Sequence, residues 1–195
     1  MENLKAPGIE EEVRRAVEVL RRGGIILYPT DTIWGLGCDG TNPEAVRRIY
    51  GIKKRSNSKS MISLVDSVEA LKKIVAEEFV RQAADLMRKF KEPVTVIYSG
   101  PEGLAKELIA EDGTAGIRIT EEAFSNLLCR EFGKPLVSTS ANISGEASPQ
   151  NFHEISDEIK EAADYVVSYG QEDTAGKKPS RIVRLKENGE TEIIR

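Results

Sequence analysis

Apolar residues recur at helical spacing at Val13, Ala16, Val17 and Leu20, behind an acidic first turn and ahead of Gly23-Gly24. This pattern predicts a helix over residues 9–22 that ends on glycine. Residues 25–28 form a short β-branched run closed by Pro29, which reads as a buried strand delivering a loop over 29–41. Asn42-Pro43-Glu44 combines an N-cap residue, a proline for the first helical position and a charge suited to the helix start, so a second helix is expected over 43–50. Further along, strands are expected at 61–65, 94–98, 115–119, 136–138, 165–167, 181–185 and 191–194. Helices are expected at 66–75, 77–90, 103–110, 121–132 and 153–162, the one at 121–132 stopped by Gly133. Asn188-Gly189 is the favoured two-residue turn for joining the last two strands.

Strands and helices alternate without a strict βαβ rhythm. The fold class this implies is α/β, a twisted open mixed sheet with helices on its faces. No repeat or low-complexity tract interrupts the chain, and the polar segment 170–179 reads as a loop because too little sequence follows it for a second core. One domain over residues 1–195 is therefore expected.

A length of 195 residues, with 39% hydrophobic and 31% charged residues, suits one globular domain with a sizeable core. Cys38 and Cys129 are too few and too far apart for a disulfide framework or a zinc site, and Cys38 reads as small apolar filler. No apolar run reaches bilayer length, and the acidic first dozen residues lack the features of a signal peptide. The expectation is a cytoplasmic protein without a membrane segment. Net charge is -4, so any anion site must be local.

One local cluster exists: Arg47, Arg48, Lys53, Lys54, Arg55 and Lys59 gather around Gly51. Such a cluster is either a solvated face or, given the forked guanidinium and flexible ammonium groups, a seat for a polyphosphate. Residues 35–40 match G-x-G-x-x-G, yet residues 29–34 separate them from the strand and Asn42-Pro43 starts the helix beyond them. A nicotinamide site needs those glycines directly between strand and helix, so that reading falls away. Thr30, Asp31 and Thr32 place hydroxyl and carboxylate groups just past a strand end, where ligands of α/β sheets sit, although taken alone they read first as a capped turn. Arg118 stands among small and apolar residues in a strand and needs a carboxylate, either Asp112 or Glu121 from the protein or one brought by a ligand. The run from Ser138 to Gly145 holds more hydroxyls than a turn requires. His153 is the single histidine and is expected on the surface, so no serine has an evident histidine activator.

Taken together, residues 28–37, Lys53-x-Arg55, Pro93-Val94-Thr95, Gly116-Ile117-Arg118 and residues 138–145 resemble, in order and spacing, the YrdC-like family. Its best understood members are threonylcarbamoyl-adenylate synthases. The similarity is strong over 23–148 and weaker over 178–183. It implies a concave α/β surface that binds ATP and L-threonine together, carboxylates the threonine amine with bicarbonate or CO2, and releases pyrophosphate. By the resemblance, Thr30, Arg118, Ser138 and Ser180 address L-threonine. Arg55, Lys59, Thr114, Ser140, Asn142, Ser148 and Arg195 address the nucleotide, and Lys53 joins the phosphate set. No covalent nucleophile is implied, orientation and charge carry the chemistry, and Mg2+ arrives with the ATP. The product would pass to a tRNA threonylcarbamoyl-transfer complex for the t6A modification.

Two departures concern backbone geometry: Ser56 where a proline commonly follows Lys-x-Arg, and Glu92 where a glycine usually precedes Pro93. Leu64 falls where some members place a threonine-contacting histidine. Without an extra C-terminal domain, the segment 170–180 is the expected lid. Two other readings accompany the main one: a YrdC-like protein that binds double-stranded RNA or tRNA, and a carbamoyl-adenylate transferase with another acceptor. An RNA binder should spread its basic residues along a face with aromatics between them; here they are compact, with Trp34 and Tyr50 nearby.

Overall fold

The computed structural model describes residues 8–54, 61–174, 179–186 and 190–195. Helix α1 (Ile9–Arg21) opens on Glu10, Glu11 and Glu12 and buries Val13, Ala16, Val17 and Leu20, as the spacing predicts. Gly23, at φ +76°, turns the chain away from it into β1 (Ile26–Tyr28). Helix α2 (Pro43–Ile52) starts where Asn42 accepts hydrogen bonds from the amides of Glu44 and Ala45. The remaining helices among the described residues are α3 (Val68–Leu71), α4 (Glu77–Lys89), α5 (Ala123–Phe132) and α6 (Asp157–Ala162). Gly133 ends α5 in the left-handed region, at φ +74°.

A mixed sheet runs through the molecule in the order β7-β1-β2-β6-β3-β5-β4-β8-β9. Besides β1 it contains β2 (Gly35–Gly37), β3 (Ile62–Val65), β4 (Val94–Ser99), β5 (Thr114–Ile119), β6 (Leu136–Ser140), β7 (Tyr165–Val166), β8 (Arg181–Leu185) and β9 (Thr191–Ile193). One apolar core joins α1, α2 and α5 to the half of the sheet that holds β1 and β2. A second packs Phe79, Val80 and Leu86 of α4 on Val96, Ile117 and Val183. Both cores leave a stretch of the central strands exposed to solvent on one face, and that is where the polar residues collect.

Several elements differ from the sequence reading. Strand β2 lies inside the segment expected to be a loop, because its Gly-Leu-Gly composition carries no strand signal. Its glycines serve close packing: a Cβ on Gly37 would sit 2.6 Å from the Tyr28 ring and 2.9 Å from the Val137 carbonyl. Pairing with β2 carries β6 on to Ser140, two residues past the expected end. The expected helices at 103–110 and 153–162 shrink to a 3-10 turn at Lys106–Leu108 and to a 3-10 turn at Phe152–Glu154 followed by α6. The helix expected over 66–75 is the four-residue α3, capped by the Ser67 hydroxyl. The Asn188-Gly189 turn falls outside the described residues, while β8 and β9 pair antiparallel as expected. Among the described residues no helix is long and apolar enough to cross a membrane.

Candidate functional site

Strand register builds the site. Arg118 on β5 is level with Leu64 on β3, and Ser138 on β6 is level with Ile62. Alternation along each strand then presents Arg118, Ser138, Ser140 and Ile62 to one side of the sheet. They line a cavity of about 330 Å³. Thr32, Trp34, Gly35, Ser148, Gln150, Ser180 and Arg195 also line it. A neighbouring cavity of about 310 Å³ shares Thr32, Ile33, Trp34 and Gln150 with it and adds Thr30, Glu122, Tyr169 and Asp173.

Arg118 dominates the electrostatics. Its side chain is 2% exposed, and Nη2 lies 3.0 Å from Asp31 Oδ1. This corrects the expectation of Asp112 or Glu121 as its protein partner. Asp112 sits in the turn before β5 and is engaged with Thr114 and with Arg184 at 3.0 Å. Burial lowers the pKa of Arg118, and the charge of Asp31 opposes that shift. The guanidinium Nε has no hydrogen-bond partner among the described residues. An orphaned charged donor at a cavity wall is costly unless something arrives to meet it. A carboxylate or phosphate oxygen fits that demand.

Around Arg118, seven of the described lining residues carry a hydroxyl. Thr95 Oγ1 and Ser180 Oγ share a buried hydrogen bond of 2.9 Å. Arg195 donates from Nε and Nη2 to the Ser180 carbonyl at 3.3 and 3.1 Å, which holds its guanidinium at the cavity rim. None of the described lining residues is acidic. The described residues contain no group of three or more Asp, Glu, His or Cys side chains able to hold a metal.

The cavity brings together six of the residues singled out from sequence: Arg118, Ser138, Ser140, Ser148, Ser180 and Arg195. Thr30 faces the neighbouring cavity instead, its hydroxyl closing a local turn by donating to the Ile33 carbonyl at 2.6 Å and accepting from the Thr32 amide. Thr114 donates to Asp112 at 2.6 Å and is not on the wall. Asn142 braces its own turn by donating to the Glu146 carbonyl at 2.8 Å. Lys53 is 1% exposed and lies behind the wall rather than on it. Arg55 and Lys59 lie outside the described residues. Of the other cations in the basic cluster, Arg47 pairs with Glu107, Arg48 with Asp164 at 3.0 Å and Lys54 with Glu158 at 2.9 Å. Those three belong to an ion-paired face.

Thr32, which the sequence places just past a strand end, is on the wall, whereas sequence reasoning missed Trp34, Thr95, Thr139 and Gln150 as wall residues. Thr95 and Thr139 sit inside motifs already noted, and strand alternation could have found Thr95, level with Arg118; nothing local marks Gln150. Cys38 is buried in the core, and burial raises its thiol pKa well above the usual range, which disfavours the reactive thiolate. His153 is exposed. Leu64 is fully buried beside Arg118.

A family model, Sua5_yciO_yrdC, described as telomere recombination, matches residues 18–195. The chain belongs to the Sua5/YciO/YrdC family. This member of the family is 34% identical over 160 residues to the threonylcarbamoyl-AMP synthase of Pseudoalteromonas translucida, a match spanning 81% of this chain and 86% of that one. It is 36% identical over 133 residues to the threonylcarbamoyl-AMP synthase of Methylococcus capsulatus, spanning 68% and 72% of the two chains. The Sua5/YciO/YrdC fold is also seen in P. abyssi Sua5 complexed with L-threonine, with a TM-score of 0.83 at 23% identity. That likeness covers 98% of this chain and 55% of the other, so the chain spans about half the length of that Sua5.

Proposed function

We propose that the chain is an L-threonylcarbamoyladenylate synthase, forming threonylcarbamoyl-AMP and pyrophosphate from L-threonine, bicarbonate or CO2, and ATP. The observation that carries this reading is Arg118, a buried cation with an unpartnered Nε at the wall of a hydroxyl-lined cavity. The family relationship, and the names of the bacterial relatives, support the same activity.

In this reading Arg118 takes the threonine carboxylate, and Ser138 and Ser180 hold the amino acid beside it. Ser140, Ser148 and Arg195 meet the nucleotide. The threonine nitrogen adds to CO2 and loses a proton, giving a carbamate. A carbamate oxygen then bonds to the α-phosphorus of ATP as the bond from that phosphorus to the pyrophosphate oxygen breaks. The chain contributes orientation within one cavity and fixed positive charge where negative charge develops. With no acidic residue among the described lining residues, the wall does not suit a resident divalent ion, and Mg2+ belongs to the phosphate oxygens of the incoming ATP. The adenylate would pass to a cytoplasmic complex that transfers threonylcarbamoyl to tRNA for t6A. Among the described cations of the basic cluster, Arg47, Arg48 and Lys54 are paired with carboxylates, which disfavours direct RNA binding through those three.

The purified chain, given L-threonine, bicarbonate, ATP and Mg2+, is expected to release pyrophosphate, with serine and alanine supporting less. Folded protein that releases no threonine-dependent pyrophosphate would overturn the reading.

A further inference from the structure

Lys53 caps the C-terminus of α2, and its ammonium is directed inward. Nζ donates to the Ser140 carbonyl at 2.6 Å and the Asn142 carbonyl at 2.7 Å, with Asn142 Oδ1 at 3.4 Å. In return, the Ser144 amide donates to the Lys53 carbonyl at 2.9 Å. From the other side, the Ala141 amide donates to the Trp34 carbonyl at 3.1 Å. The turn that follows β6 is therefore gripped between α2 and the segment leading into β2. Ser140, the last residue of β6 before that turn, lines the cavity, with Thr139 and Ser138 directly before it.

An ammonium carries three donors, and burying it is costly unless oxygen acceptors replace its water. The Ser140 and Asn142 oxygens supply such acceptors, two of them at charge-assisted distances. A lysine serving a polyphosphate needs its tip at the cavity surface, and this one is behind it.

We propose that Lys53 is a positioning residue, whose ammonium holds the turn after β6, and with it the Ser138 and Ser140 hydroxyls, in place to meet both substrates without itself touching a phosphate. The role in turnover rests on the activity proposed above; the clamp itself does not.

Two measurements test it. In wild-type protein labelled with 15N-lysine, a clamped Lys53 ammonium gives a slowly exchanging side-chain signal that pyrophosphate and ATP leave in place. A missing signal, or one that shifts strongly on adding pyrophosphate, would show a phosphate ligand and overturn the proposal. In Lys53→Met, amide exchange across 138–146 should speed up, and L-threonine binding measured without nucleotide should weaken roughly tenfold or more, alongside ATP binding. Loss confined to ATP, with threonine binding intact, would also overturn it. If the methionine variant does not fold, the wild-type lysine spectrum decides alone. Should the wild-type chain bind no L-threonine at all, the proposed activity fails, while the lysine signal and the 138–146 exchange still decide the clamp.

Discussion

Arg118 Nη2 and Asp31 Oδ1 stand 3.0 Å apart, tying central strand β5 to the loop between β1 and β2. Asp31 holds the guanidinium from one side, Nε has no hydrogen-bond partner among the described residues, and Arg118 lines the cavity. Arg118→Ala should therefore weaken L-threonine binding by about 10- to 100-fold, the worth of a charge-assisted hydrogen bond, and change ATP binding much less. Titration calorimetry with each ligand separately checks this; equal losses would make Arg118 a structural residue.

Asp31→Asn leaves that arginine buried beside a neutral amide. Breaking a buried pair from one side costs about 3 kcal/mol or more. Urea unfolding should report a loss of that order, and a variant as stable as wild type would mean the pair does not compensate the buried charge.

Two glycines should respond in opposite ways to the same substitution. Gly37→Ala puts a methyl against the Tyr28 ring and the Val137 carbonyl, both closer than any real Cβ contact, so β2 or β6 must shift. A loss of about 1–3 kcal/mol is expected. Gly51 lies in α2 with open space where a Cβ would go, so Gly51→Ala should stabilise by about 0.5–1 kcal/mol through helix propensity. Thermal melts of the two variants side by side check both signs.

Acid stability should depend on Asp164. A hydrogen bond from Arg48 holds its carboxyl below the usual range, helped by the Ile25 amide at 2.7 Å, against the opposing effect of partial burial. A carboxylate with a lowered folded pKa stabilises the protein above its unfolded value, about pH 4, and that contribution disappears as pH falls through the lower folded value. Asp164→Asn should therefore flatten the fall in stability below about pH 4 and reduce stability modestly at pH 7, since the pair is half exposed. Unfolding curves from pH 3 to 7 for both proteins test the slope; identical slopes would exclude Asp164 from the acid response.

Helices α1, α2 and α4 are legible from sequence because their causes are local: apolar residues three and four apart in each, Asn42 before Pro43 at the start of α2, glycine after the last turn of α1. The central strands are legible through β-branched runs. The family motifs also mark Arg118 and the hydroxyls of β6 and Ser180, which do meet in one cavity. What local pattern cannot carry is register and distance. Strand β2 exists because Gly37 lets Tyr28 and β6 come close, a demand set by neighbours far away in sequence. Register decides that Arg118 and Ser138 share a face, while bonds to Asp112 and the Glu146 carbonyl occupy Thr114 and Asn142. Lys53 and Ser140 are 87 residues apart, and only packing shows that this cation holds the wall instead of standing on it. Charge, caps and periodicity are properties of a few neighbouring residues, so the sequence alone determines them. The partner of a buried charge is whatever the fold brings within about 3 Å, so only the tertiary structure could pair Arg118 with Asp31.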